Sequence, residues 1–283
     1  MKSISVLIQG GLGNQLFCYA AGYSLAKKNN CKLNLDLYDF KHGYFRPYKL
    51  DSLNIEYDRE CNLPSKNNRF FYYFKRFFLR NRWLLEKKYY VFQDIFSNKI
   101  NNGYLEGYWQ SEKYFLYTDD IRKLITLKKS NDNAMLEHFR NKISNYNNTV
   151  AVQIRRGDFA SGGNSVDLAY YKAAFNEIEK RLDSPTYIFF SDDVEFVKTH
   201  FDFESNKNYF VAKELFDVKD DVIELFCLAA CSHQIICNSS FAWWGAWLNP
   251  NPNKIVVASL LPDLKNTDYY PNNWITIDAN FDR

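Results

Sequence analysis

Thr149-Val-Ala-Val-Gln-Ile-Arg-Arg-Gly-Asp-Phe159 is the stretch that decides the fold of this chain. Its first half is apolar and β-branched, which is typical of a short strand buried on both faces of a parallel sheet. Arg155 and Arg156 stand where that strand ends, at the edge of an open α/β sheet where ligands bind. Arginine there favours an anionic ligand, because its planar guanidinium holds two phosphate oxygens at once and stays charged. The alternative is a structural ion pair with Asp158.

The sequence on both sides of this strand predicts two α/β domains. Downstream, helical and strand-like patterns alternate as in a doubly wound sheet. Upstream, a strand, a glycine-rich turn, a helix and a second strand begin another domain of the same kind. The polar run 141–148 is the predicted linker. We therefore expect an N-terminal domain over 1–146, with an irregular basic and aromatic insert over about 40–110, and a C-terminal domain over 147–283.

The composition limits the kind of protein. The chain has 283 residues, a net charge of +3 and 18% aromatic residues, and a charge this small does not indicate a nucleic-acid partner. Its six cysteines form no Cys-x-x-Cys pair, and its first residues lack the apolar core of a signal peptide. No apolar run reaches the roughly 18 residues of a membrane span. These features predict a cytoplasmic protein with reduced thiols.

A basic and aromatic block spans residues 66–88, where lysines and arginines face the single acid Glu86. The block is typical of a helix with one core face and one solvated basic face, which is the interpretation that the pattern favours. It is also compatible with a helix lying on an anionic membrane surface, or with a docking site for a lipid-linked acceptor. The second interpretation predicts peripheral contact with the inner membrane.

Two further loops follow predicted strands of the C-terminal domain and share its ligand edge. Asn238-Ser-Ser-Phe241 begins a helix whose free backbone N–H groups form an anion site, although these residues are also ordinary helix caps. Glu224, on the preceding helix, is suited to accept hydrogen bonds from guanine, or else faces solvent. Asp192 and Asp193 are suited to Mg²⁺. Because Arg155 and the helix N-terminus already supply the countercharge, no metal site is predicted.

The first-domain turn Gly10-Gly-Leu-Gly-Asn-Gln15 partly matches a dinucleotide-binding fingerprint. Leu16 stands where the third glycine would be, so a nicotinamide cofactor is not favoured. Gly11 and Gly13 still allow the backbone to approach a ligand closely. Asn14 would then direct its amide into the cleft between the domains.

Six motifs run in order along nearly the whole chain: GGLGNQLF at 10–17, GYWQSEKYF at 107–115, QIRRGD at 153–158, FSDD at 190–193, NSSFAWWGAW at 238–247 and PNNW at 271–274. Together they resemble the α-1,2-fucosyltransferases of glycosyltransferase family 11, in their bacterial type. The chain departs from the usual pattern of that family at two positions. Gln153 stands in place of a histidine, and Glu224 in place of an aspartate.

The resemblance implies an α/β, GT-B-like fold, with two Rossmann-like domains facing a central cleft. It implies a galactoside 2-α-L-fucosyltransferase that moves L-fucose from GDP-L-fucose to a terminal β-galactose, with inversion and without metal or cofactor, in bacterial surface polysaccharide (O-antigen) synthesis. Arg155 would hold the β-phosphate. With the loops above, the predicted donor-binding residues are Gly11, Gly13, Asn14, Gln153, Arg155, Arg156, Asp192, Glu224, Asn238, Ser239, Ser240 and Phe241.

The implied reaction builds negative charge on the β-phosphate, which Arg155 and the helix N-terminus would stabilise. A general base on the acceptor hydroxyl would add about 10²–10⁴-fold. Asp158 is the first candidate for that base and Glu112 the second, although Asp158 is also placed to orient an arginine. Trp243 or Trp244 would line the sugar methyl group or belong to the core. The alternative functions are a transferase for another GDP-sugar and a non-catalytic nucleotide- or glycan-binding module.

Overall fold

The computed structural model of the protein describes residues 2–61, 73, 77, 82–128, 132–157, 159, 162–201, 208–215 and 220–282. The chain forms two compact units, one of residues 1–128 with 267–271 and one of residues 129–266 with 272–283. The division lies near residue 128, earlier than the polar run predicts. A helix precedes that run, and its Phe139 packs edge-on against Phe190 of the second unit. That helix therefore belongs to the second unit.

The first unit contains a five-stranded sheet in the order β3-β2-β1-β5-β4, and each neighbouring pair is parallel. Because β1 has β2 on one side and β5 on the other, the strand order reverses between β1 and β5. Its elements are β1 (Ser3–Leu7), α1 (Leu12–Lys28), β2 (Lys32–Asp36), α2 (Tyr38–Lys41), β3 (Arg59–Cys61), β4 (Trp83–Leu85), β5 (Asn102–Glu106) and α3 (Thr118–Leu124).

Helix α1 covers one face of this sheet at close range. Its Gly22 lies directly over β1 and β2, and an added Cβ would come within 2.8 Å of the Val6 side chain. The other face carries buried polar groups, among them Asp36, whose carboxylate accepts a 2.8 Å hydrogen bond from the Tyr104 hydroxyl. The glycine-rich turn joins β1 to α1 and therefore lies at the carboxyl end of β1.

The second unit contains a six-stranded sheet in the order β8-β7-β6-β9-β10-β11, again with every neighbouring pair parallel. Counted from β6, this is the strand order of Rossmann dinucleotide-binding folds, and it reverses between β6 and β9. Its elements are α4 (Asp132–Ile143), β6 (Thr149–Ile154), α5 (Leu168–Glu179), β7 (Thr186–Ser191), α6 (Val194–His200), β8 (Tyr209–Val211), α7 (Ala212–Leu215), α8 (Asp221–Ala230), β9 (His233–Ile236), α9 (Ser240–Leu248), β10 (Val256–Leu260) and β11 (Ile275–Asp278).

The core of the second unit forms where its patterns predict. Every residue of β6 and β7 is buried, as expected of central strands covered by helices on both faces. Helices α8 and α9 pack closely, because Gly245 leaves room for the Leu228 side chain. Trp243 and Trp244 are fully buried on α9. Of the two roles proposed for these tryptophans, the structure supports the core role.

The basic block 66–88 lies largely outside the described residues. Its last part is strand β4 rather than the predicted helix, because Trp83–Leu85 pairs in parallel with Tyr104–Glu106. Contact of the block with a membrane therefore stays a prediction. Within the described residues, no helix is both long enough and apolar enough to cross a bilayer.

Candidate functional site

The candidate site of the second unit lies at the carboxyl ends of β6, β7 and β9. Three loops leave the sheet here, beginning at Arg155, Asp192 and Asn238. The strand order reverses between β6 and β9, and ligands of open α/β sheets bind at such points. The fold therefore brings the loops predicted from sequence to one edge.

Arg155 is held by Asp192 and stays accessible. Its Nη1 lies 2.9 Å from Asp192 Oδ2, and 30% of its side chain is exposed. The second oxygen, Oδ1, accepts a 2.8 Å hydrogen bond from the backbone N–H of Arg156. Gly157 completes the loop, since a Cβ there would stand 2.7 Å from Asp192 Oδ2. In this structure Asp192, predicted to bind the donor, shapes the loop that presents Arg155.

Arg156 is enclosed by protein groups. Its Nη1 lies 2.7 Å from Asp282 Oδ2, its Nε lies 3.4 Å from Asp193 Oδ2, and its guanidinium stacks 3.7 Å from the ring centroid of Phe196. These contacts match the structural ion-pair interpretation, with Asp193 and Asp282 as the partners. The two adjacent arginines therefore differ, because the side chain of Arg155 is 30% exposed whereas that of Arg156 is 19% exposed and contacts two carboxylates and a ring.

Gln153 and Cys237 connect the loops after β6 and β9. The Cys237 thiol donates to Gln153 Oε1 at 2.8 Å, and both residues are buried. Burial raises the pKa of Cys237 to about 12, while backbone N–H groups of Ser239 and Arg155 that point at the sulfur oppose this rise. The thiol is therefore protonated at neutral pH and serves as a donor. No role in donor binding was predicted for Cys237 from the sequence, although it stands directly before the Asn-Ser-Ser motif.

In the loop that joins β9 to α9, two polar side chains make fewer hydrogen bonds than their groups allow. Ser239 is the N-cap residue, yet its side chain makes no capping hydrogen bond. Asn238 Nδ2 donates to the Asn164 carbonyl at 3.3 Å, whereas Asn238 Oδ1 is buried and has no hydrogen-bond partner among the described residues. Ser240 and Phe241 form the first turn of the helix. Ordinary capping does not account for this loop, and the helix N-terminus is suited to an anion.

Glu224 lies on α8 and is partly buried rather than solvent-facing. Burial raises the pKa of its carboxyl, the Asp221 and Asp192 carboxylates raise it further, and Lys213 and Arg155 oppose the rise. Glu224 lies in the first turn of α8, close enough to Arg155 and Asp192 for their charges to act on its carboxyl. This position is near the edge of the sheet at which the Arg155 loop leaves β6.

The first unit has a comparable edge, between β1 and β5. Gly10 adopts φ +81°, and a Cβ there would come within 2.6 Å of Asn14. Gly11 is the N-cap residue of α1, and Gly13 lies in its first turn. Asn14 Oδ1 accepts a 3.0 Å hydrogen bond from Gln110 Nε2, in the turn after β5. Gln110 belongs to the motif at 107–115, but no role was predicted for it from the sequence.

Glu86 shapes the turn after β5. Its carboxylate accepts hydrogen bonds from the backbone N–H groups of Tyr108, at 2.7 Å, and Trp109, at 3.2 Å. Trp109 adopts the left-handed φ of +58°, and Gly107 has no room for a Cβ beside Glu86. The acid that sequence analysis placed in a basic surface block is therefore an anchor for the 107–110 turn.

We expect Glu86→Ala to lower the free energy of unfolding by about 2 kcal/mol, because two backbone donors lose their acceptor and one of them lies in a buried, left-handed residue. Urea denaturation followed by tryptophan fluorescence measures this. Glu195→Ala, at an exposed helix position, is the matched control and should change stability little. Equal effects of the two substitutions would contradict the anchoring role.

Of the two candidate bases, Asp158 lies outside the described residues, and its role stays a prediction. Glu112 belongs to the first unit, where it opens a short 3₁₀ helix (Glu112–Tyr114) and interacts with Arg122, whose pKa burial lowers. Within the described residues no group of three His, Cys, Asp or Glu side chains is arranged to hold a metal ion. The metal-independent mechanism stays a prediction.

Comparison with known proteins decides the family. The model of glycosyl transferase family 11 matches residues 3–278. The chain belongs to glycosyltransferase family 11. An α-1,2-colitosyltransferase of Escherichia coli is 31% identical to it, over 98% of this chain and 100% of that protein. The O-antigen biosynthesis glycosyltransferase WbnK of E. coli is also 31% identical, over 89% of this chain and 92% of that protein.

Solved structures confirm the fold class. Fucosyltransferase NodZ from Bradyrhizobium superposes with a TM-score of 0.53 at 14% identity, covering 86% of this chain and 91% of NodZ. An Arabidopsis thaliana FUT1 variant in complex with GDP gives 0.52 at 12% identity, covering 90% of this chain and 70% of FUT1. At such identities the likeness shows the fold alone. With the two parallel sheets, it confirms that this family 11 glycosyltransferase has the predicted α/β, GT-B-like fold of two Rossmann-like domains.

Proposed function

We propose that this glycosyltransferase transfers L-fucose from GDP-L-fucose to the 2-hydroxyl of a terminal β-galactose, with inversion and without a metal ion. The observation that carries the proposal is the edge of the second sheet, where Arg155, the N-terminus of α9 and Glu224 occur together. Two of these groups suit a diphosphate, and the third suits the N–H donors of a guanine. A guanosine diphosphate leaving group uses all three.

The proposed mechanism assigns separate tasks to these residues. As the bond between the sugar and GDP breaks, the β-phosphate gains negative charge. Arg155, oriented by Asp192, and the N–H groups at the start of α9 stabilise that charge, in the place that a metal ion takes in other transferases. Asp158 remains the first candidate for the base that accepts the proton of the acceptor hydroxyl, and Glu112 the second.

The relatives support a role in bacterial surface polysaccharide. One is named for O-antigen biosynthesis and the other for α-1,2 transfer of colitose. We infer that the acceptor is a galactose-terminated glycan, lipid-linked during assembly, and that the protein acts in the cytoplasm at the inner membrane. The colitosyltransferase, similar along the whole chain, also favours a second candidate, in which the donor sugar is colitose instead of fucose.

The experiment is GDP release in EDTA, from GDP-fucose and GDP-colitose separately, with lactose, N-acetyllactosamine and Gal-β1,3-GalNAc as acceptors. Acceptor-dependent release from GDP-fucose, with an α-1,2 linkage in the product by NMR, is the expected result. Release from GDP-colitose alone would replace the donor sugar in the proposal. GDP binding without release from either donor would favour another GDP-sugar or a binding module.

A further inference from the structure

We propose that Gln110 is a positioning residue that orients the side-chain amide of Asn14, so that Asn14 donates an N–H to an oxygen of the bound substrate. The identity of that substrate rests on the proposed function. The positioning itself rests on the first unit alone, at the edge where the strand order reverses between β1 and β5.

The hydrogen bond between the two amides sets the orientation. Gln110 Nε2 donates to Asn14 Oδ1 at 3.0 Å. Because this bond occupies the oxygen of Asn14, the Nδ2 group is the end that remains for a ligand. Gln110 is buried, with 7% of its surface exposed, whereas Asn14 is partly exposed. The buried amide therefore acts as the support and the exposed amide as the contact.

The turn at Gly10 keeps Asn14 in place from the other side. A Cβ at Gly10 would lie 2.6 Å from Asn14 Nδ2, so the amide nitrogen rests against the glycine-rich turn. The backbone N–H of Gly10 donates to the Tyr44 hydroxyl at 3.1 Å, and its carbonyl accepts from Gln15 Nε2 at 3.0 Å. Both backbone groups of Gly10 are thus hydrogen-bonded, and this fixes the backbone that carries Asn14.

Gln110 is supported equally well. Glu86 accepts the N–H groups of Tyr108 and Trp109, and Ser111 N donates to the Trp109 carbonyl at 2.9 Å. Trp109 is held at φ +58°, a conformation that a bulky residue adopts only when its surroundings impose it. The surrounding hydrogen bonds stabilise this strained conformation of Trp109. As a result, buried Gln110 in the turn after β5 contacts Asn14 at the start of α1.

The chemistry of the exposed group defines the ligand class. A neutral N–H donor at the carboxyl edge of a parallel sheet suits an oxygen with a free lone pair, either a phosphate oxygen of the donor or a hydroxyl of the acceptor sugar. Both sources present the same oxygen chemistry. Kinetics with each substrate varied in turn distinguish them.

The test is Gln110→Glu. Glutamate has the shape of glutamine but only accepts hydrogen bonds at neutral pH, so Asn14 must turn its Nδ2 inward and present Oδ1 to the substrate. We expect kcat/KM to fall at least about tenfold for the substrate that Asn14 contacts. A rise in KM for the donor identifies a phosphate oxygen, and a rise in KM for the acceptor identifies a sugar hydroxyl. Gln93→Glu makes the same chemical change in the same unit and should keep full activity.

The decisive control is the same substitution in an Asn14→Ala background. If Gln110 acts through Asn14, Gln110→Glu has no further effect there, and the two substitutions are non-additive. An equal loss in both backgrounds, or full activity of Gln110→Glu, would overturn the proposal. If Gln110→Glu does not fold, Gln110→Met removes the donor without adding charge and is tested in the same two backgrounds.

A failure of the proposed function is recognised separately. If the parent protein turns over no donor, binding of GDP and of N-acetyllactosamine is measured by calorimetry for the parent, Gln110→Glu and Gln93→Glu. Weakened binding of either compound by Gln110→Glu alone would uphold the positioning role while the transfer reaction is rejected. Unchanged binding of both would reject the positioning role as well.

Discussion

Arg155→Ala is expected to lower kcat by about 10²–10³-fold and to weaken GDP binding, because it removes the side chain that meets the charge developing on the β-phosphate. Asp192 orients the guanidinium, which is partly exposed at the edge of the second sheet. Arg155→Lys should recover little of the activity. A lysine keeps the charge but presents a single ammonium group in place of a planar fork that binds two oxygens.

Steady-state kinetics and calorimetry with GDP check this result. Arg181→Ala is the matched control, since Arg181 is an exposed arginine of the same unit that pairs with Glu177. The control should retain both activity and GDP affinity. Near-normal kcat in Arg155→Ala would contradict the phosphate assignment. Full recovery in Arg155→Lys would show that charge alone, and not the two-pronged geometry, holds the phosphate.

Glu224→Gln is expected to weaken GDP binding about 10–100-fold while leaving ADP binding unchanged, because hydrogen bonds to a charged acceptor contribute about 1.5–3 kcal/mol. Glutamine offers one acceptor oxygen and a misplaced donor to the N–H groups of guanine. Glu195→Gln, at an exposed position, is the control and should bind both nucleotides like the parent protein. An equal loss for GDP and ADP would contradict guanine recognition.

The pH dependence of the same residue follows from its surroundings. Burial, Asp221 and Asp192 together raise the pKa of the Glu224 carboxyl. On acidification it therefore takes up a proton at a higher pH than an exposed glutamate would, and GDP affinity should fall as the pH drops through that raised pKa. Glu224→Gln should abolish this part of the pH profile. A pH profile of GDP affinity that is the same in both proteins would exclude Glu224 as the titrating group.

The contribution of Glu224 to folding stability changes with pH in the opposite direction to its contribution to GDP affinity. A carboxyl whose pKa is raised on folding stabilises the native state most below its unfolded pKa, and this contribution is lost as the pH rises through the folded value. Above its raised pKa the ionised Glu224 therefore destabilises the native state, and there Glu224→Gln should be at least as stable as the parent protein. Weakened GDP binding together with undiminished stability would separate a binding role from a structural one.

Much of the second unit could be predicted from its sequence. The strand over 149–154 was expected from its apolar, β-branched run and occurs with those limits. The loops at Arg155, Asp192 and Asn238 were expected at one edge because parallel strands all end on the same side of their sheet, and the structure places them there.

The errors have a common cause. Residues 83–85 were included in a basic helix but form β4, because pairing with β5 outweighs the local pattern. The unit boundary was placed at the polar run, but the helix before that run packs on the second unit through Phe139. Glu86 was treated as one charge in a surface block and instead caps a buried turn. In each case a contact distant in the chain decided the outcome.

The sequence by itself determined that this protein has two parallel-sheet domains, that its ligand edge carries Arg155 and the Asn-Ser-Ser loop, and that it belongs among glycosyltransferases. Periodicity and strand ends are local properties, so neighbouring residues are enough to specify them. Only the tertiary structure separated the accessible Arg155 from the enclosed Arg156 and joined Gln110 to Asn14. Arg156 meets Asp282 across 126 residues of chain, and Gln110 meets Asn14 across 96. Contacts between residues so far apart in the chain depend on how all the strands of a sheet pair, and no local sequence pattern specifies that pairing.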